Sequence, residues 1–231
     1  NTRNLKSSQI PSQFPSQRQS LRPLRALMRL RKPPRKRRQK RRRRTNRKPL
    51  GSCIRSMDFK QYIRTIPDHP KPGIMFRDVT TLMSNAVALK SAIQTMAEPF
   101  RGQNIDQVAG IDARGFILGG ALAIELGAGF TALRKPGKLP WQTYSETYEL
   151  EYGTDELHMH TDALRSGDAV LLVDDLIATG GTAEAGLNLL RRAEAHIVAA
   201  IFLVDLPDLG GADRLRAHGV ETHALMAFGG H

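Results

Sequence analysis

The chain has 231 residues, 35 of them Lys or Arg, 22 of them Asp or Glu, and one cysteine. Its net charge of +13 would suggest a nucleic-acid or anionic-membrane partner, but residues 1 to 56 hold 20 of the basic residues and no acidic one, leaving residues 57 to 231 at a net −7. No apolar run approaches the roughly 20 residues that span a bilayer, and the lone Cys53 leaves residues 57 to 231 without disulfide, thiolate-ligated zinc or thiol nucleophile, which fits the cytoplasm as the default compartment.

Residues 1 to 56 carry RKPPRKRRQKRRRR from Arg31 to Arg44, preceded by SQIPSQFPSQRQS. Such a segment cannot bury enough apolar surface to order itself. A solvated tail, or a start codon placed too far upstream, is the favoured reading. The alternative is an electrostatic arm for nucleic acid, acidic lipid or nuclear import, and the Arg-rich, acid-free character also overlaps with organellar transit peptides. Met57 opens a segment of about 175 residues, enough for one domain with a proper core.

From there, apolar runs suited to buried strands recur at Val108 to Ile111, Phe130 to Leu133, Ala169 to Val173, Ile197 to Val204 and Glu221 to Met226. Helical spacing of apolar residues marks Val87 to Phe100, Phe116 to Leu126 and Ala183 to Ala195. This alternation predicts an α/β fold, an open and mainly parallel sheet flanked by helices. The segment from Arg134 to about Asp155 breaks the pattern with Pro136, Gly137, Pro140 and Gly153. It is long for a connection, and is expected to form a mobile lid, pairing as a hairpin.

The most informative run is VLLVDDLIATGGTA at Val170 to Ala183. An apolar strand delivers Asp174 and Asp175 to its carboxyl end, where ligands of open α/β sheets sit. Ala178, Thr179, Gly180, Gly181 and Thr182 follow, a small and hydroxyl-rich turn with bare N–H groups at a helix N-terminus, suited to a phosphate. The two acids can accept hydrogen bonds from ribose hydroxyls. An acid cap on an ordinary turn is the simpler reading of any one of these features, but the whole string makes it improbable.

The run resembles the 5-phosphoribosyl-1-pyrophosphate (PRPP) signature of type I phosphoribosyltransferases. Three further segments, PGIMFRDVT at Pro72 to Thr80, AGIDARGF at Ala109 to Phe116 and RKPGKLP…YELEYG from Arg134 to Gly153, extend the likeness to the adenine phosphoribosyltransferases over Met57 to His231. The resemblance implies conversion of adenine and PRPP to AMP and pyrophosphate in purine salvage by a homodimer, with Mg²⁺ held mainly by substrate and water and no direct protein ligand to the metal. Asp112, Ala113 and Arg114 then contact pyrophosphate, across a strained peptide open to the cis form between Asp112 and Ala113. Arg134, Lys135 and Lys138 add cations for the same group.

The backbone at Met75 would read the adenine edge, with Phe76, Arg77 and Asp78 shaping its pocket and Ile177 a candidate for its other face. Glu151 is the implied proton handler at N7 and Tyr152 part of the closed lid, with Glu149 as a competitor for the glutamate role. Arg114 and Glu151 are thus the catalytic candidates. Two rivals stay open: the same chemistry on xanthine, guanine or orotate, and a PRPP-sensing regulator whose basic tail binds nucleic acid.

Overall fold

The computed structural model describes residues 57–149 and 153–230. Residues 1 to 56, and with them the expectations for the basic segment, lie outside the described residues, as do Glu151 and Tyr152.

A short 3₁₀ turn at Phe59–Tyr62 leads into β1 (Arg64–Ile66) and β2 (Phe76–Asp78), an antiparallel pair. Helices α1 (Thr80–Met83) and α2 (Ala86–Ala97) follow, the latter capped by Asn85, whose side chain accepts from the N–H groups of Val87 and Ala88. The main body then runs β3 (Gln107–Ile111), α3 (Arg114–Leu126), β4 (Gly129–Leu133), the hairpin β5 (Thr143–Glu149) and β6 (Thr154–His160), β7 (Ala169–Ile177), α4 (Gly181–Arg192), β8 (His196–Asp205), α5 (Gly211–Ala217) and β9 (Thr222–Ala227).

Five of these strands form one parallel sheet in the order β4-β3-β7-β8-β9. Alternation along each strand divides the core in two. Val108, Leu171, Val173, Ala199, Ile201 and Leu203 face one side, against α2 and α3. Ala109, Ile111, Val170, Leu172, Ala200 and Phe202 face the other, against α4, α5 and the hairpin. Strands buried on both faces must be apolar nearly throughout, which is why their sequence runs are so continuous.

The expected strands and helices are all present, with shifted ends. Strand β7 continues to Ile177 rather than stopping at Val173, so Asp174 and Asp175 lie within it. Helix α3 begins at Arg114, which opens the helix instead of sitting on a preceding turn. The segment after Arg134 does pair as a hairpin, but that hairpin runs on to His160, past the expected end near Asp155. Its Tyr148, Leu157 and Met159 are buried in the second core cluster, so the root of the expected lid is part of the core.

Candidate active site

Leaving β3, the chain crosses to β4 on one side; leaving β7, it crosses to β8 and β9 on the other. The β3/β7 boundary is therefore the switch point of the sheet, where a crevice opens beyond the strand ends. Arg114, just after β3, and Asp175, late in β7, meet there, with Arg114 Nε donating to Asp175 Oδ2. Partial burial works against the guanidinium charge, but Asp175 outweighs it and holds Arg114 above its usual range. The approach is possible because Gly115 has no side chain: a Cβ there would stand 2.8 Å from the Val173 carbonyl oxygen.

Asp175 is 6% exposed. Asp174, on the opposite face of the strand, keeps some accessible surface and accepts from the Asp175 N–H at 2.8 Å. Protein packed around it, and then the charge of Asp175, push the Asp174 carboxyl well above the ordinary carboxylate range. The two acids therefore sit differently: Asp175 pairs with Arg114, whereas the surroundings of Asp174 bias its carboxyl towards the protonated form.

Beyond them opens a cavity of about 230 Å³, lined by Arg114 and by the run from Asp174 to Ala183. All seven residues expected to hold the ribose and 5′-phosphate lie on its wall, joined by the buried Ile177. Gly180 adopts φ 86°, a left-handed conformation that glycine takes without penalty, and α4 starts at the next residue. No side chain caps α4, so its first N–H groups, on residues of the cavity wall, have no side-chain acceptor. From the far side, a Cβ on Gly181 would be 3.1 Å from the Glu149 carbonyl oxygen, which places the end of β5 directly beside the phosphate loop.

The pyrophosphate candidates divide. The Asp112–Ala113 peptide is cis. Asp112, whose N–H donates to Leu133 O at 2.8 Å, accepts from Arg134 Nε at 3.0 Å. Arg134 also stacks over Phe116 and donates to Lys138 O at 3.3 Å. Arg134 is thus brought to the DARG turn, whereas the Lys138 residue is exposed and meets it through its carbonyl. Lys135 turns the other way, into the hairpin, where its Nζ donates to Tyr148 Oη and Asp155 Oδ2. Desolvation opposes its charge, but Asp155 and Tyr148 more than offset that and hold the ammonium above its usual range. The same hydrogen bond from Lys135 holds the Asp155 carboxyl below the ordinary range.

The base candidates occupy the small β1–β2 sheet. Met75 precedes β2, Phe76 meets His69 edge-on at 5.0 Å, and Arg77 donates to Thr65 Oγ1 at 2.6 Å. Asp78 accepts from the Thr80 hydroxyl at 2.5 Å and the Thr80 N–H at 2.9 Å, which keeps its carboxyl low; Arg114 is close enough to add to that effect.

Sequence reasoning missed three supports. Gly115 carries no signal of its own inside the DARG motif, although it lets α3 touch β7. Gly211, at the start of α5, presses on the phosphate loop from behind, and its position in a Gly-Gly pair after Pro207 was a usable signal. Phe228 and Gly229 contact Arg77 from the other end of the chain, and no local pattern announces that.

The Phosphoribosyl transferase domain family model matches residues 81–222. A Bradyrhizobium (strain BTAi1) adenine phosphoribosyltransferase is 59% identical over 175 residues, 76% of this chain and 98% of that protein. The crystal structure of the Rhodothermus marinus adenine phosphoribosyltransferase superposes with a TM-score of 0.69 at 52% identity, covering 74% of this chain and 96% of that one. The Saccharomyces cerevisiae enzyme, complexed with an iminoaltritol bisphosphate and adenine, matches with a TM-score of 0.68 at 34% identity, over 73% and 96% of the two chains. With this architecture, this pocket and these likenesses, the chain belongs to the adenine phosphoribosyltransferase family.

Proposed function

We propose that this site converts adenine and PRPP to AMP and pyrophosphate, a step of purine salvage. The observation that carries the reading is the Arg114–Asp175 pair at the switch point, which sets a cation for pyrophosphate beside acids for ribose at the mouth of the phosphate-loop cavity. Adenine N9 attacks the ribose anomeric carbon, the bond from that carbon to the pyrophosphate oxygen breaks with its electrons leaving on pyrophosphate, and the anomeric carbon inverts. The transition state is cation-like at the sugar. Asp174 and Asp175 orient the ribose hydroxyls, and positive charge at the sugar favours the ionised form of Asp174. Arg114 and Arg134 receive the departing charge, with Lys138 as a further cation; Lys135 joins them only by leaving Asp155 and Tyr148.

Asp112 and Ala113 present the turn on which pyrophosphate rests, and Met75, Phe76 and Arg77 form the base pocket. Glu151 accepts the proton that the base loses at N7 as N9 attacks, and Tyr152 belongs to the closed lid; the support for both is the approach of Glu149 to Gly181, since the two residues themselves lie outside the described ones. Among the described residues no group of three or more His, Cys, Asp or Glu is placed to hold a metal. The side-chain ligand atoms of the cavity are oxygens, which suit Mg²⁺, a cation that keeps much of its water. Asp174 and Asp175 would stand beside an ion held mainly by PRPP and water. Bound there, Mg²⁺ would supply neutralisation of the charge on the leaving pyrophosphate.

A homodimer is part of the same reading. Ile117 and Ile124, seven residues apart on α3, are 51% and 86% exposed, and Phe130 on the edge strand β4 adds to the same apolar side. A second copy covers that face, and sedimentation of the wild type beside Ile124→Glu tests it. Cytoplasmic residence rests on the cysteine usage. Among the described residues no helix is long and apolar enough to cross a membrane.

The test is AMP formation from adenine and PRPP with and without Mg²⁺, beside guanine, hypoxanthine and xanthine, on the full chain and on residues 57 to 231. Mg²⁺-dependent AMP from adenine alone, equal in both, supports the reading and makes the basic segment dispensable for catalysis. PRPP binding without turnover of any base would instead favour a PRPP-sensing regulator, and salt-dependent nucleic-acid binding by the full chain alone would assign the segment that partner.

A further inference from the structure

Arg77 sits on a three-residue strand of a two-stranded sheet, a unit with little stability of its own. Its guanidinium nevertheless has a defined seat. One terminal nitrogen donates to Thr65 Oγ1 at 2.6 Å, the other to Gly229 O at 3.4 Å, and its carbon lies 4.6 Å from the centroid of the Phe228 ring. Among the described residues no carboxylate pairs with Arg77, and its Nε is buried without a hydrogen-bond partner. The face of an aromatic ring is therefore the principal electrostatic partner of this cation.

Phe228 is itself firmly placed. Its N–H donates to Asp205 O at 3.0 Å, extending the path of β9 beside β8 by one residue. Gly230 N–H then donates to Asp208 Oδ2 at 2.8 Å, and the ring packs on the larger core cluster. Lys60 Nζ lies 5.2 Å from the centroid of the same ring, so two cations share one aromatic group. The segment after β9 thus ties the small sheet to the main sheet through the side chain that shapes the base pocket.

We infer that Phe228 is a positioning residue of the base site, acting through Arg77. The inference rests on the reading of Arg77 as part of the adenine pocket. Phe228 touches neither the phosphate loop nor the DARG turn in any contact described above, so its influence falls on adenine and spares PRPP.

The experiment compares Phe228→Leu, Phe228→Tyr, Arg77→Ala, Arg77→Lys and the double variant Arg77→Ala/Phe228→Leu, with KM for adenine, KM for PRPP and kcat measured for each, and a thermal melt to confirm folding. Leucine keeps apolar packing but removes the π face. Phe228→Leu should raise the adenine KM about fivefold with the PRPP KM unchanged, and Phe228→Tyr should behave as wild type. The double variant should be no worse for adenine than Arg77→Ala. An adenine KM unmoved by Phe228→Leu, or both KM values moved alike, overturns the inference even if Arg77→Ala weakens adenine. If Arg77→Ala and the milder Arg77→Lys both leave the adenine KM unchanged, the placement of Arg77 in the base pocket fails, and the inference with it.

Discussion

Gly211 donates its N–H to the Ala178 carbonyl at 3.0 Å, and a Cβ at Gly211 would stand 2.3 Å from that same oxygen and 2.8 Å from Gly180 N. The start of α5 is thus the back wall of the phosphate loop. Gly211→Ala must push Ala178 to Gly180 towards the cavity. A displacement of about 1 Å in a positioning element can cost up to about a hundredfold in rate, so PRPP KM should rise at least about tenfold while adenine KM moves little. Steady-state kinetics with each substrate varied in turn will show whether the loss is confined to PRPP.

Arg114 has a second partner in reserve, because the pyrophosphate it would receive competes with Asp175 for the same fork of donors. Arg114→Ala should lower kcat/KM for PRPP by about 10² to 10³, the range for removing one preorganised charge-stabilising donor. Arg114→Lys should recover only a small part, since a point charge lacks the planar fork that spans a carboxylate and a phosphate together. Product inhibition by pyrophosphate should weaken in parallel, which separates a lost anion contact from a general loss of folding.

Asp174 makes stability depend on pH in a defined direction. Burial and the neighbouring Asp175 raise its carboxyl above the ordinary value of 3.8, so the folded chain holds that proton more tightly than the unfolded chain does. Wild-type stability therefore falls as pH rises from the ordinary carboxylate value through the raised one. Asp174→Asn should raise the melting temperature by about 2–5 °C at neutral pH, and the gain should vanish at about pH 3.5, where both forms carry an uncharged group. Activity should be lost at every pH. A gain independent of pH would place its origin outside this titration.

Asp155 behaves in the opposite sense. Lys135 holds its carboxyl below the ordinary range, so its stabilising effect is complete above that range and disappears as pH falls through the lowered value. Both partners are about one-third exposed, which limits the effect of Asp155→Asn to about 0.5 kcal/mol near neutrality. Denaturant titrations of wild type and variant at neutral pH and in acid should converge as the acid limb is reached.

The parallel sheet was legible because its strands are buried on both faces and leave unbroken apolar runs. The same criterion misplaced the end of β7: hydrophobicity stops at Val173, but ladder pairing with β8 continues to Ile177, since hydrogen bonding is indifferent to the charges on Asp174 and Asp175. Asp112 and Arg134 were each recognised as site residues. Their pairing was not, because it follows from β3 and β4 lying side by side rather than from any spacing along the chain. Lys135 was assigned by its charge and its neighbours in sequence, whereas the competing acid, Asp155, comes from the far strand of the hairpin. The β1–β2 sheet gave no periodic signal at all. Three residues are too few to show alternation, and its anchor at Phe228 lies at the opposite end of the domain.

The close seating of Gly115 on β7 also bears on how such a protein can change. The DARG turn and the acids of β7 share one joint with no room for even a methyl group, so neither can be remodelled without dislodging the other. On the proposed reading, those parts would meet only what every PRPP-consuming reaction has in common. A lineage that acquires a different nucleobase would then have to leave this joint alone and vary the small β1–β2 sheet and the segment that follows β9, which hold to the rest through a handful of contacts.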